Sequence, residues 1–149
     1  MTLFVILLLI AVVSVRAAED ECPSQAAVSP CTCHVCPSDG DQDLWLYCDD
    51  DQLDDVDASR ILSAFISTSS KFVSPLREIF FFNNNLTRVP DEVRLFNNLD
   101  SITLGNNPIQ SIESGSFNLT RKLNYLAMGN SVNKIRPGAF RSNHSVPMS

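Results

Sequence analysis

The stretch "LREIFFFNNNLTRVP", Leu76 to Pro90, sets three phenylalanines against three asparagines and closes on a proline. A strand buries only alternate side chains, so Phe80, Phe81 and Phe82 cannot all share one face. Aligning the chain with itself around Asn84 reveals a repeat. Asn84, Asn107 and Asn130 are 23 residues apart, as are Leu86, Ile109 and Val132, and Val89, Ile112 and Ile135. Gly115 and Phe117 recur as Gly138 and Phe140. Upstream of each asparagine stands an apolar triplet: Leu76/Ile79/Phe81, Leu99/Ile102/Leu104 and Leu123/Leu126/Met128.

Each unit is expected to make one short strand and turn back. One unit cannot bury its own apolar positions, so neighbours must stack. The asparagine sits where the chain leaves the strand. A buried amide there would bond backbone groups that the turn leaves unpaired, which makes Asn84 a ladder residue. Asn83 and Asn85 read as turn and glycan positions. The third unit slips register: its triplet comes 24 residues after the previous one, its asparagine 23. A local bulge would absorb the difference, whereas burying Lys122, Tyr125 and Ala127 instead would bury an unpaired charge.

The pattern L-x-x-L-x-L-x-x-N-x-L-x-x-I resembles that of leucine-rich repeat proteins. The resemblance implies an α/β solenoid, a right-handed coil of short parallel strands with a disulfide N-terminal cap and little regular helix. "CPSQAAVSPCTC … YCDDDQLDDV" resembles the family's amino-terminal cap, running from Cys22 through Cys48 to Leu53 and Val56. Spacing alone leaves the connectivity open; the family's usual pairing implies Cys22–Cys33 and Cys31–Cys48, with Cys36 unpaired. The opening and the long first interval also resemble secreted arthropod repeat proteins, a group that includes the non-catalytic subunit of oplophorus-luciferin 2-monooxygenase. That likeness implies an accessory role beside the catalytic subunit of an extracellular enzyme.

Other readings of the head are weaker. Cys31, Cys33, His34 and Cys36 could ligate zinc, and Cys33-x-x-Cys36 could be a redox pair, but an oxidising compartment favours disulfides. The acidic run near Cys48 lacks the spacing of a calcium loop and reads as a solvated face.

The expected organisation is a signal peptide (1–17), a cysteine-rich cap (18–57), a helical insertion (58–75), three repeats (76–141) and a tail (142–149). The apolar run Leu3 to Val15 precedes a cleavage site near Ala17 and is too short to span a membrane. In the insertion, Ile61, Leu62, Phe65 and Ile66 recur at helical spacing, with Asp57 or Ser59 as the cap. Asn85, Asn118 and Asn143 head glycosylation triplets, so a secreted, extracellular glycoprotein is expected. After Phe140 no C-terminal cysteine cap follows, which suggests a shortened chain.

Charge is segregated. Ala17 to Ser59 holds 12 acidic residues and no Lys or Arg, while Arg60 onward holds 10 basic and 5 acidic residues. The overall charge of −6 argues against nucleic acid as a partner.

The outward strand positions are Glu78, Phe80 and Phe82, then Ser101, Thr103 and Gly105, then Tyr125, Ala127 and Gly129. Glu78, Phe80, Phe82, Ser101, Thr103 and Tyr125 are the expected partner-binding residues on a concave strand face, for a protein or glycan ligand. The alternative is that the cap, the insertion or a neighbouring molecule covers the two phenylalanines. No Ser/His/Asp set, metal triad or phosphate loop appears, so neither catalysis, a cofactor nor a metal is expected. Cys36, or the open end after Phe140, offers a route to a homodimer.

Overall fold

The computed structural model describes residues 22–37, 42–68, 75–118, 120 and 122–140. The expected signal peptide, the tail and Asn143 lie outside them. After a single helical turn, α1 (Gln25–Val28), the chain forms a hairpin of β1 (Thr32–Pro37) and β2 (Gln42–Tyr47). The pair is antiparallel, with Cys33 opposite Leu46 and His34 opposite Trp45. β2 alternates strictly: Leu44, Leu46 and then Cys48 are buried, while Trp45 and Tyr47 point to the other face. Disulfides Cys22–Cys33 and Cys31–Cys48 staple the hairpin to what precedes and follows it. Cys36 keeps a free thiol.

Helix α2 (Asp55–Thr68) follows. Its first turn is capped by Asp54, whose Oδ1 accepts the N–H groups of Val56 and Asp57, both at 2.9 Å. The helix therefore starts three residues before the expected 58, and the anticipated caps Asp57 and Ser59 lie inside it. Val56, expected where the cap continues into a first turn, is 76% exposed, and Ala58 is buried.

Strand β3 (Leu76–Phe80) returns to pair with β2 in parallel. Leu44 faces Leu76 but Trp45 faces Glu78, so Arg77 is an extra residue on β3. This irregularity lets Leu76 and Ile79, three apart, both face the core. β4 (Ser101–Leu104) and β6 (Tyr125–Met128) extend the sheet in parallel, giving the order β1-β2-β3-β4-β6. β5 (Ser111–Ile112) and β7 (Lys134–Ile135) form a separate parallel pair.

This architecture overturns the expected solenoid. The chain is a small α/β domain built on one mixed five-stranded sheet, whose first pair is antiparallel, with two helices. The expectation of little regular helix also fails, because α2 runs for 14 residues. The physical reason lies before the repeats. β1 and β2 pair antiparallel, β2 with its own period-two pattern, and Ile61, Leu62 and Phe65 supply a fully buried helix face.

That helix face and a 3-10 turn (Asp91–Leu95) cover the inner side of the sheet in one continuous core. Phe65 meets Phe96 edge to face, centroids 6.5 Å apart. Arg60 ties α2 back to α1 by donating to the Ser29 carbonyl at 2.8 Å.

Between the strands and the core, two asparagines do what the repeat demands. Asn84 Oδ1 accepts the Leu53 N–H at 2.9 Å, and its Nδ2 donates to the Cys48 carbonyl at 2.6 Å. Asn107 Oδ1 accepts the Leu86 N–H at 3.0 Å, and its Nδ2 donates to the Phe81 and Leu104 carbonyls at 2.7 and 3.0 Å. Each amide thus satisfies buried backbone in its own turn and in the turn before it. Asn130 is exposed, so the slipped register ends this ladder after two rungs.

A second, exposed row runs beside the first. Asn83 donates to Asp50, and Asn106 donates to Asn83. All three residues hold φ between 55° and 63°. Asp and Asn tolerate this left-handed conformation better than other side chains, which accounts for their place at these turns.

Candidate functional site: the outward face of the sheet

The parallel register aligns outward residues into two rows. Trp45, Glu78, Ser101 and Tyr125 are neighbours across β2, β3, β4 and β6. One step along, Tyr47, Phe80, Thr103 and Ala127 are neighbours. Five of the six expected binding residues therefore share one face. The sixth, Phe82, follows β3 and is 43% exposed. Its ring leans across the next strand: a Cβ placed on Gly105 would sit 3.2 Å from Phe82 Cδ2. A side chain at 105 would therefore press on that ring and shift it by a few tenths of an ångström.

The hairpin supplies what sequence reasoning missed. Tyr47 stacks flat on Phe80 with centroids 4.4 Å apart, and Trp45 tilts toward both at 6.3 and 6.4 Å. His34 meets the edge of Tyr47 at 5.2 Å. Such ring pairs add roughly 0.5–1.5 kcal/mol beyond area burial. Phe80 is thus half covered by its neighbours, as the alternative reading allowed for both phenylalanines. The alternation in "DLWLYC", Asp43 to Cys48, was the signal that would have placed Trp45 and Tyr47 on this face.

Carboxylates edge the rings. Burial, and then the like charges of Asp100 and Asp43, push the Glu78 carboxyl above its usual range. Arg77 Nε donates to Asp43 Oδ1 at 2.8 Å, and its Nη1 donates to the Asn98 carbonyl at 3.3 Å. Asp100 Oδ1 accepts from Asn124 at 2.5 Å. Asp49 accepts the Phe82 N–H at 2.7 Å, yet burial and then Asp50 leave its carboxyl raised overall. Burial also raises the Tyr47 hydroxyl, with Cys36, Glu78 and Asp49 adding to the effect.

The glycan and metal candidates lie elsewhere. Of the expected glycan positions, Asn85 is exposed, with Nδ2 3.3 Å from the Gln52 carbonyl. Thr87, two residues on, donates its hydroxyl to Asp55 at 2.5 Å. Asn118 is half-buried, and its Oδ1 is enclosed without a hydrogen-bond partner. The disulfides remove Cys31 and Cys33 from any zinc set. Among the described residues no group of three or more His, Cys, Asp or Glu side chains is placed to hold a metal ion. Among them, too, no helix is long and apolar enough to cross a membrane.

A cavity of about 280 Å³ lies at the far end of the domain, lined by Phe117, Asn118, Thr120, Leu123, Asn124, Leu126 and Phe140. It is remote in sequence from the hairpin rings and shares no residue with the two rows. No protein-family model matches the chain, and neither a curated protein nor a solved structure matches it.

Proposed function

We propose that this chain is a binding module whose outward sheet face recognises a protein partner. One observation carries the reading: Trp45, Tyr47, Phe80 and Tyr125 from the sheet's strands lie on a face that the core does not use, and Phe82 stands exposed just beyond β3. Rigid aromatic rings held by a sheet bring large contact area at little entropic cost, as interface anchors do. Ser101 and Thr103 leave room beside them. The module acts outside the cell, where its two disulfides persist, and of the two described sequon asparagines Asn85 is the more exposed to carry a glycan.

Photocrosslinking of the full chain in its native extracellular fluid tests this. A photoreactive side chain at Thr103 should capture a discrete partner, and one at Arg94, exposed on the 3-10 turn, should not. Phe82→Ala and Trp45→Ala should each cut the Thr103 yield about tenfold or more, as truncated anchors do. Equal capture from Thr103 and Arg94 would remove the face from consideration.

A further inference from the structure

We infer that the outward face selects a peptide segment bearing arginine or lysine, whose cationic side chain seats against Trp45, Tyr47 and Phe80 with Glu78 as counter-charge. This inference rests on the sheet-face reading above and adds the chemistry of the partner.

The charges on the face are incompletely balanced. Arg77, next to Glu78 in the chain, is engaged by Asp43 and the Asn98 carbonyl. Asp100 takes a neutral donor from Asn124. Among the described residues no Lys or Arg pairs with Glu78 or Asp100. Two carboxylates therefore repel each other beside half-buried rings, and an incoming cation relieves that repulsion. A neutral sugar could stack on the same rings but would leave the carboxylates unbalanced.

The rings are disposed to help. Glu78 is the direct cross-strand neighbour of Trp45, and Phe80, two residues along β3, is the neighbour of Tyr47. A guanidinium bound to Glu78 would lie within reach of ring faces, where attraction operates inside about 6 Å. Arginine also stacks flat on aromatic planes, which an ammonium does not. Three interstrand steps separate Trp45 from Tyr125, about 14 Å at about 4.8 Å each. That length fits four or five residues of extended peptide rather than a lone small cation. Asp43 beside Glu78 and Asp49 beside Tyr47 add negative charge that would draw such a segment toward these rings.

Trp45 is the chain's only tryptophan, so its emission reports the site directly. The full chain is titrated with a hexapeptide carrying two arginines, with the same peptide carrying citrulline, and with a neutral chitin trisaccharide. The arginine peptide should bind saturably, with the citrulline peptide about tenfold weaker or more. Glu78→Gln should weaken arginine binding about tenfold, while Asp91→Asn, the same loss of charge at the exposed start of the 3-10 turn, should change it less than about twofold. Equal weakening by both variants would mean diffuse charge attraction and overturn the inference. Equal binding of the citrulline peptide, or saturable binding of the trisaccharide alone, would also overturn it while leaving the face as a binding surface. A flat response to all three would overturn it too, and the photocrosslinking at Thr103 would then decide separately whether the face binds anything.

Discussion

The segments from Leu76 to Ile112 and from Leu123 to Ile135 carry the same apolar pattern and end differently. In the first, Leu76, Ile79, Phe81, Leu99, Ile102 and Leu104 are all fully buried. In the second, Leu123, Leu126 and Met128 are only partly covered, and Ile135 is 60% exposed where its counterpart Ile112 is 2% exposed. The pattern fixes which face a residue takes. How deeply it is buried depends on neighbours, and β4 has strands on both sides whereas β6 is the sheet's edge. An apolar residue gains from burial only as much area as its neighbours remove from water.

The widest gap should appear in core truncations at matched register. Ile102 and Leu126 are direct neighbours across β4 and β6. Ile102→Ala should cost about 4 kcal/mol, within the range for fully buried aliphatics, and Leu126→Ala about half that. Urea unfolding monitored by far-UV circular dichroism measures both. Equal losses would mean that β6 is covered in solution by something more than the described residues supply.

The asparagines sharpen the comparison by a smaller margin. Asn107→Ala strands the Leu86 N–H and the Phe81 and Leu104 carbonyls, at about 3 kcal/mol in all. Asn130→Ala, at an exposed position, should stay within about 0.5 kcal/mol. Hydrogen exchange gives the same contrast locally, because the Leu86 amide should lose its protection in Asn107→Ala.

This difference also marks how far the sequence could be read. The 23-residue spacing identified the inward triplets and both working asparagines, because backbone satisfaction at a turn depends on local chemistry. It was silent on how β1 and β2 join the sheet, because they lie upstream of the first repeat and obey a period of two. The same blind spot hid Trp45 and Tyr47, so the face was expected with two exposed phenylalanines and built with a cluster of rings. Nor did the apolar spacing in α2 settle where that helix starts. Asp54 reaches two backbone amides there, while the expected caps sit a turn too late.

The smallest predicted effect concerns Glu78, on the well-buried side of this comparison. Its carboxyl is raised by burial first and by Asp100 and Asp43 next, with Arg77 held by Asp43 and the Tyr47 hydroxyl nearby. A carboxyl whose folded value exceeds its unfolded value binds protons more readily when native. Its charged form therefore subtracts from stability at neutral pH, and the deficit disappears as pH falls through the folded value into the ordinary carboxylate range. Glu78→Gln removes the charge outright. The variant should melt slightly higher than the native chain at pH 7, and the two curves should converge near pH 4, where the native carboxyl is largely protonated. A gain that persists unchanged at pH 4 would assign the effect to packing rather than to like-charge repulsion. The substitution that weakens capture of an arginine peptide should thus also stabilise the fold, as expected where a binding surface holds unbalanced charge ready for its partner.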